Sequence, residues 1–91
     1  MAEISPAAKL AARRIREFRG KRKLTQERLA HLAGLNKGQL SKIERALIEP
    51  GIGTLEKIAN ALGVILAELT LEPARSDDEN RILQVGRLSR P

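Results

Sequence analysis

Four short amphipathic stretches, each bracketed by residues that start or stop helices, constrain this chain more than any other feature. Ser5 followed by Pro6 offers a hydroxyl cap and a proline at the first helical position, where its missing N–H is no loss. Ala8, Ala11, Ile15 and Phe18 then recur at three- and four-residue spacing, an apolar stripe expected to end near Gly20. Thr25 can cap a second helix in which Leu29, Leu32 and Ala33 face inward until Gly34 stops it. Asn36 and Gln39 stand at capping-box spacing and open a third helix with Leu40, Ile43 and Leu47 on its inner face. Pro50 and Gly51 break the chain before a fourth stripe of Ile52, Leu55, Ile58, Ala59 and Leu62, closed by Gly63. A short fifth helix is expected around Ile65 to Leu69.

Composition agrees with helices. Of the 91 residues 42% are hydrophobic, yet Phe18 is the single aromatic, so the core must be built from Leu, Ile and Ala. The expected class is all-α, a compact five-helix bundle with a C-terminal extension. Residues 5–70 read as the helical domain and 71–91 as a tail for dimerisation or partner binding. Within that tail Pro73 interrupts, Ser76 or Asp77 can cap a helix, and Ile82, Leu83, Val85 and Leu88 fit helix or strand equally. No cysteine is present and His31 is the one histidine, so no disulfide, thiolate metal site or zinc centre is expected, and no cofactor. Asp77, Asp78 and Glu79 are adjacent acids that read as a helix start, with no metal assigned. No apolar run approaches the roughly 18 residues of a membrane span, and the amino terminus lacks an apolar secretory core. A soluble, cytoplasmic protein is expected.

Charge is unevenly placed. The formal net charge is +6. Lys9, Arg13, Arg14, Arg16, Arg19, Lys21, Arg22 and Lys23 crowd residues 9–23 against Glu17 alone, whereas the acids and arginines from Glu72 onward balance. Such a basic run is either a solvated helix face or the footprint of an anionic polymer. The residues C-terminal to the run favour the polymer.

Residues 24–62 read LTQERLAHLAGLNKGQLSKIERALIEPGIGTLEKIANAL. The elements Leu24-Thr25-Gln26-Glu27, Leu29-Ala30, Gly34, Leu40-Ser41, Ile43-Glu44-Arg45, Pro50, Leu55, Ile58-Ala59 and Leu62-Gly63 fall at one family's spacing. The chain resembles the Cro and phage-repressor helix-turn-helix regulators, the xenobiotic response element family, over about residues 8 to 70. The physics agrees, since Ala30 and Gly34 are small enough for two helices to cross closely. The resemblance implies that the helix at about 36–46 enters the major groove of double-stranded DNA. Lys37, Gly38 and Gln39 then reach base edges first and Lys42 one turn later. Gln39 can pair with adenine and lysine can donate to guanine, each good contact discriminating by about 1–3 kcal/mol. Gln26 and Asn36 are placed near phosphates by the same resemblance, Ser41 near a base or a phosphate. Arg45 with Arg16, Arg19, Lys21, Arg22 and Lys23 would add the salt-dependent part of affinity.

Two conflicts arise within this assignment. Gln39 cannot both complete a capping box and read a base. Ala46 stands where the family usually has glycine, so a left-handed backbone there would be strained and a rearranged turn is expected. Gly38 also departs from the pattern, because many relatives carry a side chain there and a helical glycine costs about 1 kcal/mol relative to alanine. Glu44 is expected to be structural, orienting an arginine of the same domain.

The function implied is a transcriptional regulator, a homodimeric repressor whose operator half-sites lie about 34 Å apart. Leu69, Ile82, Leu83, Val85 and Leu88 are the candidate dimer or partner contacts. The alternative is an antitoxin whose tail binds a toxin partner, and a restriction-modification controller is a further family possibility. An enzyme is not expected, since no nucleophile, base and orienting acid can be assembled around His31.

Overall fold

The computed structural model describes residues 3–72. Within them lie five helices and no strand: α1 (Pro6–Lys21), α2 (Gln26–Ala33), α3 (Lys37–Glu44), α4 (Ile52–Leu62) and α5 (Ala67–Thr70). α1 packs on α5 and α3, while α2 packs on α4 and α3. The all-helical, five-element expectation holds.

Three of the helices start as their caps require. Ser5 Oγ accepts from the Ala8 N–H at 3.0 Å, Thr25 Oγ1 from Arg28 at 3.0 Å and Asn36 Oδ1 from Gln39 at 2.7 Å. Each bond satisfies a backbone donor that the first helical turn leaves without a partner. α4 starts at Gly51 with no side-chain cap.

The first four helices stop in one common way. The N–H groups of Leu24, Leu35, Leu47 and Val64 reach back to the carbonyls of Arg19, Ala30, Lys42 and Ala59 at 2.8–3.0 Å. This closing bond requires a left-handed residue just before it. Gly34 and Gly63 supply that conformation at φ of 71° and 73°, but Lys23 and Ala46 adopt it at 54° and 55°. The expected rearrangement at Ala46 therefore does not occur; the left-handed turn forms on an alanine that bears the steric cost itself.

Ile15, Leu29, Leu40, Ile43, Ile58, Leu62 and Leu69 are fully buried at the centre, with Phe18, Leu24, Leu35, Ile48 and Leu66 packed around them. Three expected core residues are exposed instead: Leu32, Leu47 and Ile52. At 100° per residue Leu32 falls outside the arc of Leu29, Ala30 and Ala33. Leu47 lies beyond the left-handed Ala46, so the period of α3 no longer governs its direction. Ile52 is the first residue of α4, at the open end of the stripe.

One contact has no signal in the sequence pattern. Glu49, in the loop after α3, accepts the Ser5 N–H at 2.9 Å and the Ser5 hydroxyl at 2.6 Å, tying the start of α1 to the α3–α4 loop. Those two bonds, the hydroxyl first and the backbone N–H second, hold the Glu49 carboxyl below its ordinary pKa of 4.5. A depressed folded pKa stabilises the fold above the ordinary value, and that contribution is lost as pH falls through the folded value. Glu49→Ala should therefore lower the unfolding midpoint in urea at pH 7, and the gap from the parent should close as the buffer is taken well below pH 4.5.

Ala46→Gly should raise stability, because a non-glycine residue held left-handed costs on the order of 1–3 kcal/mol. After the extra backbone entropy of glycine is subtracted, a net gain of about 1 kcal/mol remains, or roughly 4–8 °C in Tm for a domain of this size. Thermal unfolding followed by circular dichroism measures it; an unchanged or lower Tm would show that the turn carries no such strain.

Candidate nucleic-acid interface

α2 and α3 are joined by a tight turn of Gly34, Leu35 and Asn36. Gly34 is required by its φ of 71°, and a Cβ built there would meet nothing within 4 Å. The expectation that Gly34 makes room for a close helix crossing is thus corrected: it serves the turn, while Ala30 is the small residue buried in the core.

α3 has two sharply different faces. Leu40, Ile43 and Glu44 point inward and are buried. On the opposite side Gly38, Lys42 and Arg45 share the outermost strip, with Lys37 and Ser41 on one flank and Gln39 on the other, as 100° per residue dictates. Lys37, Gly38, Lys42 and Arg45 are exposed, Gln39 and Ser41 half-buried. The one acid of α3 faces inward, so its outer surface carries lysine, arginine, amide and hydroxyl groups and no carboxylate. Such a surface donates to the acceptor-rich edges of guanine and adenine and to phosphates.

The capping conflict at Gln39 has a definite outcome. Asn36 Oδ1 takes the Gln39 backbone N–H, but among the described residues no return bond runs from the Gln39 amide to Asn36. Its side chain is therefore not committed to a full capping box. Gly38 is free of internal constraint as well: a Cβ there would meet only Asn36 Oδ1, at 3.4 Å, an ordinary contact. Nothing in the fold requires the glycine.

Behind this face lies a charged junction. Glu44 is 1% exposed and accepts twice from Arg19, Nε to Oε2 at 2.9 Å and Nη2 to Oε1 at 3.0 Å. Gln26 Nε2 donates to the same Oε1 at 3.0 Å, Arg19 Nη1 donates to the Leu24 carbonyl at 3.0 Å, and the Arg16 guanidinium meets the Glu44 carbonyl. Both oxygens of the buried carboxylate are thereby satisfied by donors from α1 and α2. This corrects the assignment of Arg19 to phosphate, because its nitrogens are engaged within the protein. Among the described residues the second amide hydrogen of Gln26 has no partner. The expectation that Glu44 orients an arginine of its own domain matches the observed pair.

The remaining cations lie around the same end of α1. Lys21 and Arg22 flank the Phe18 ring, each 5.5 Å from its centroid, and Arg22 Nε also donates to the Leu62 carbonyl. Arg22 is in part a structural link from α1 to the end of α4. Lys23 is exposed on its left-handed turn. Leu69, assigned to a dimer surface, is 0% exposed and belongs to the core, where the short α5 turns it against α1. Ile82, Leu83, Val85 and Leu88 lie outside the described residues. Among those described, no group of three His, Cys, Asp or Glu is placed to hold a metal, and no helix is long and apolar enough to cross a membrane.

A short helix, a glycine turn and a second helix with an uncommitted cationic face, seated on three supporting helices, define a helix-turn-helix domain. Comparison with known proteins agrees: the helix-turn-helix family HTH_3 matches residues 15–69, and the chain belongs to that family. It is 34% identical over 71 residues to the HTH-type transcriptional regulator PuuR of Escherichia coli, covering 78% of this chain and 38% of that protein. It is 39% identical over 66 residues to the immunity repressor protein of Bacillus phage phi105, covering 72% of this chain and 46% of the repressor. The chain thus spans less than half the length of these two relatives. Among solved structures it is similar to the restriction-modification controller protein C.AhdI of Aeromonas hydrophila. There the TM-score is 0.66 at 32% identity, over 68% of this chain and 94% of the controller.

The Glu44 junction should dominate local stability. Glu44→Ala leaves Arg19 partly buried without its counter-charge, and breaking one side of a buried pair costs about 3–5 kcal/mol. Urea unfolding of the variant should show a loss of that order, whereas a loss below about 1 kcal/mol would place the pair in the class of solvent-screened surface bridges.

Proposed function

We propose that this chain is a transcriptional repressor that binds double-stranded DNA by sequence, as a homodimer, with α3 in the major groove. The observation that carries the reading is the outer face of α3: Lys37, Gln39, Lys42 and Arg45 are presented, no acid accompanies them, and the one carboxylate of the helix is buried behind. Lys37, Gly38, Gln39 and Lys42 are the base-contacting residues in this reading. Asn36, Ser41, Arg45, Gln26 and the cations Arg16, Lys21, Arg22 and Lys23 surround them as phosphate contacts. Repression is supported by relatives that bear that name, the phage phi105 immunity repressor and the CTXphi repressor RstR of Vibrio cholerae. A helix with two turns in the groove reads only a few base pairs, so specificity calls for two copies on an inverted repeat. The domain division at 70/71 belongs to this reading too, with residues 71–91 as the extension; the antitoxin alternative would place a protein partner there.

Gly38 gives the reading its sharpest detail. Its place at the centre of the exposed strip, with no internal need for glycine, lets the helix backbone approach the base edges closely.

Selection of binding sites from random duplex DNA at near-physiological salt tests the proposal. An inverted repeat with half-sites about one helical turn apart is expected. Gln39→Ala should relax preference at one position per half-site at a cost of about 1–3 kcal/mol, while Arg45→Ala should weaken all sequences alike and lower the salt slope by about one. Salt-sensitive binding with no enriched sequence would reduce the chain to a non-specific basic module.

A further inference from the structure

One residue on the outer face of α3 is left unexplained by the fold. Gly38 is the second residue of α3, inside a helix, where glycine is a poorer helix former than any residue but proline. Its backbone does not need glycine, since among the described residues the glycines with positive φ are Gly34 and Gly63. Its surroundings do not need it either, because an added Cβ would meet only Asn36 Oδ1, at the ordinary distance of 3.4 Å. A locally unfavourable residue with no inward purpose directs attention to what lies outside it.

Outward, Gly38 is exposed on the strip that also bears Lys42 and Arg45. Residues three and four positions on share its side of the helix, so Ser41 and Lys42 stand beside it, and the glycine leaves a notch between them and the turn at Asn36. The notch differs in kind from its rim. Lys37, Gln39, Ser41 and Lys42 all carry hydrogen-bonding groups, whereas Gly38 has no side chain to carry one. The aliphatic stem of Lys42 adds apolar surface next to it, because lysine lays its methylenes along a surface and sends the ammonium onward. A small apolar hollow ringed by polar groups selects by shape, not by donor pattern. The major groove offers one protruding apolar group, the C5-methyl of thymine; the other features of its base edges are donors and acceptors.

We infer that the notch at Gly38 receives the 5-methyl group of a thymine in each half-site, so that Gly38 determines specificity by the side chain it lacks. The inference rests on the reading of α3 as the helix in the major groove and adds to it the identity of one base. A methyl seated in the notch leaves water and meets the helix backbone and the Lys42 stem. A side chain at position 38 would fill the same space, so the thymine methyl and an alanine methyl exclude each other.

The experiment measures binding of the full chain to the site enriched from random duplex DNA, with each thymine of a half-site replaced in turn by uracil, which pairs identically and lacks only the methyl. At one thymine the replacement should weaken binding about fourfold, the factor that burial of one methyl-sized group supplies. Gly38→Ala should weaken binding to the thymine site by about tenfold through overpacking. Uracil at that same position should then cost the variant nothing or restore its binding, because the alanine methyl takes the vacated space. Alanine forms helix better than glycine, so G38A folds at least as well as the parent, and thermal unfolding checks this. Arg45→Ala is the control: it should lower affinity for both sites alike and keep the preference for thymine. An enriched half-site without thymine, indifference to uracil at every thymine, or an unchanged thymine preference in G38A overturns the inference and leaves sequence-specific binding standing. If no sequence is enriched at all, the DNA reading falls and this inference with it.

Discussion

A single buried carboxylate holds the helix-turn-helix half of this domain in place. Glu44 ends α3, and its two oxygens receive Arg19 from α1 and Gln26 from the first turn of α2. The same arginine also bonds the Leu24 carbonyl in the turn between those helices, and Arg16 meets the backbone of Glu44 itself. Three elements are thereby fixed by one cluster. Because a charge-assisted bidentate pair tolerates little rotation, it sets the pitch of α3 against α1 and α2 more tightly than apolar packing could. Leu40 and Ile43 contribute the burial, but leucine and isoleucine accept several neighbouring arrangements at small cost.

The cluster also sorts the charges of the chain. Among the many cations of α1, Arg19 is drawn inward by Glu44, Arg16 meets the Glu44 carbonyl and Arg22 is partly held by the Leu62 carbonyl, which separates internal fasteners from the exposed remainder. Drawing the only acid of α3 inward clears the outer strip of negative charge. The buried pair and the cationic outer strip of α3 are thus two consequences of one arrangement.

Backbone geometry adds a second constraint. Four helices end in the same left-handed turn, which lets each connection stay short enough for the next helix to fold back on the core. At Gly34 and Gly63 the conformation comes free of steric cost. At Lys23 and Ala46 it is enforced by the closing hydrogen bonds and by the packing of the next few residues, a small local penalty outweighed by the core. The turn after α3 then places Leu47 outward and brings Glu49 to Ser5.

Much of this architecture is legible along the chain. Cap residues Ser5, Thr25 and Asn36, the glycines at 34 and 63 and the three- and four-residue apolar spacing act within a turn of themselves, so they determine helix number, order and limits without help from distant parts. The cationic character of α3 is legible for the same reason. Contacts between residues far apart in sequence are not. Nothing local says that Arg19, among eight neighbouring cations, finds a carboxylate 25 positions on, that Glu49 reaches back to Ser5, or that Leu69 is core while Leu71 is surface. Apolar three- and four-residue spacing nominates Leu32, Leu47 and Ile52 for the core, because spacing alone fixes neither the centre of the buried arc nor where each helix and its neighbour end. The sequence by itself determined the elements and the chemistry available on each. Which of those groups are spent on holding the fold, and which are left exposed, was decided only when the helices packed, since burial and ion pairing depend on distances that no local pattern contains.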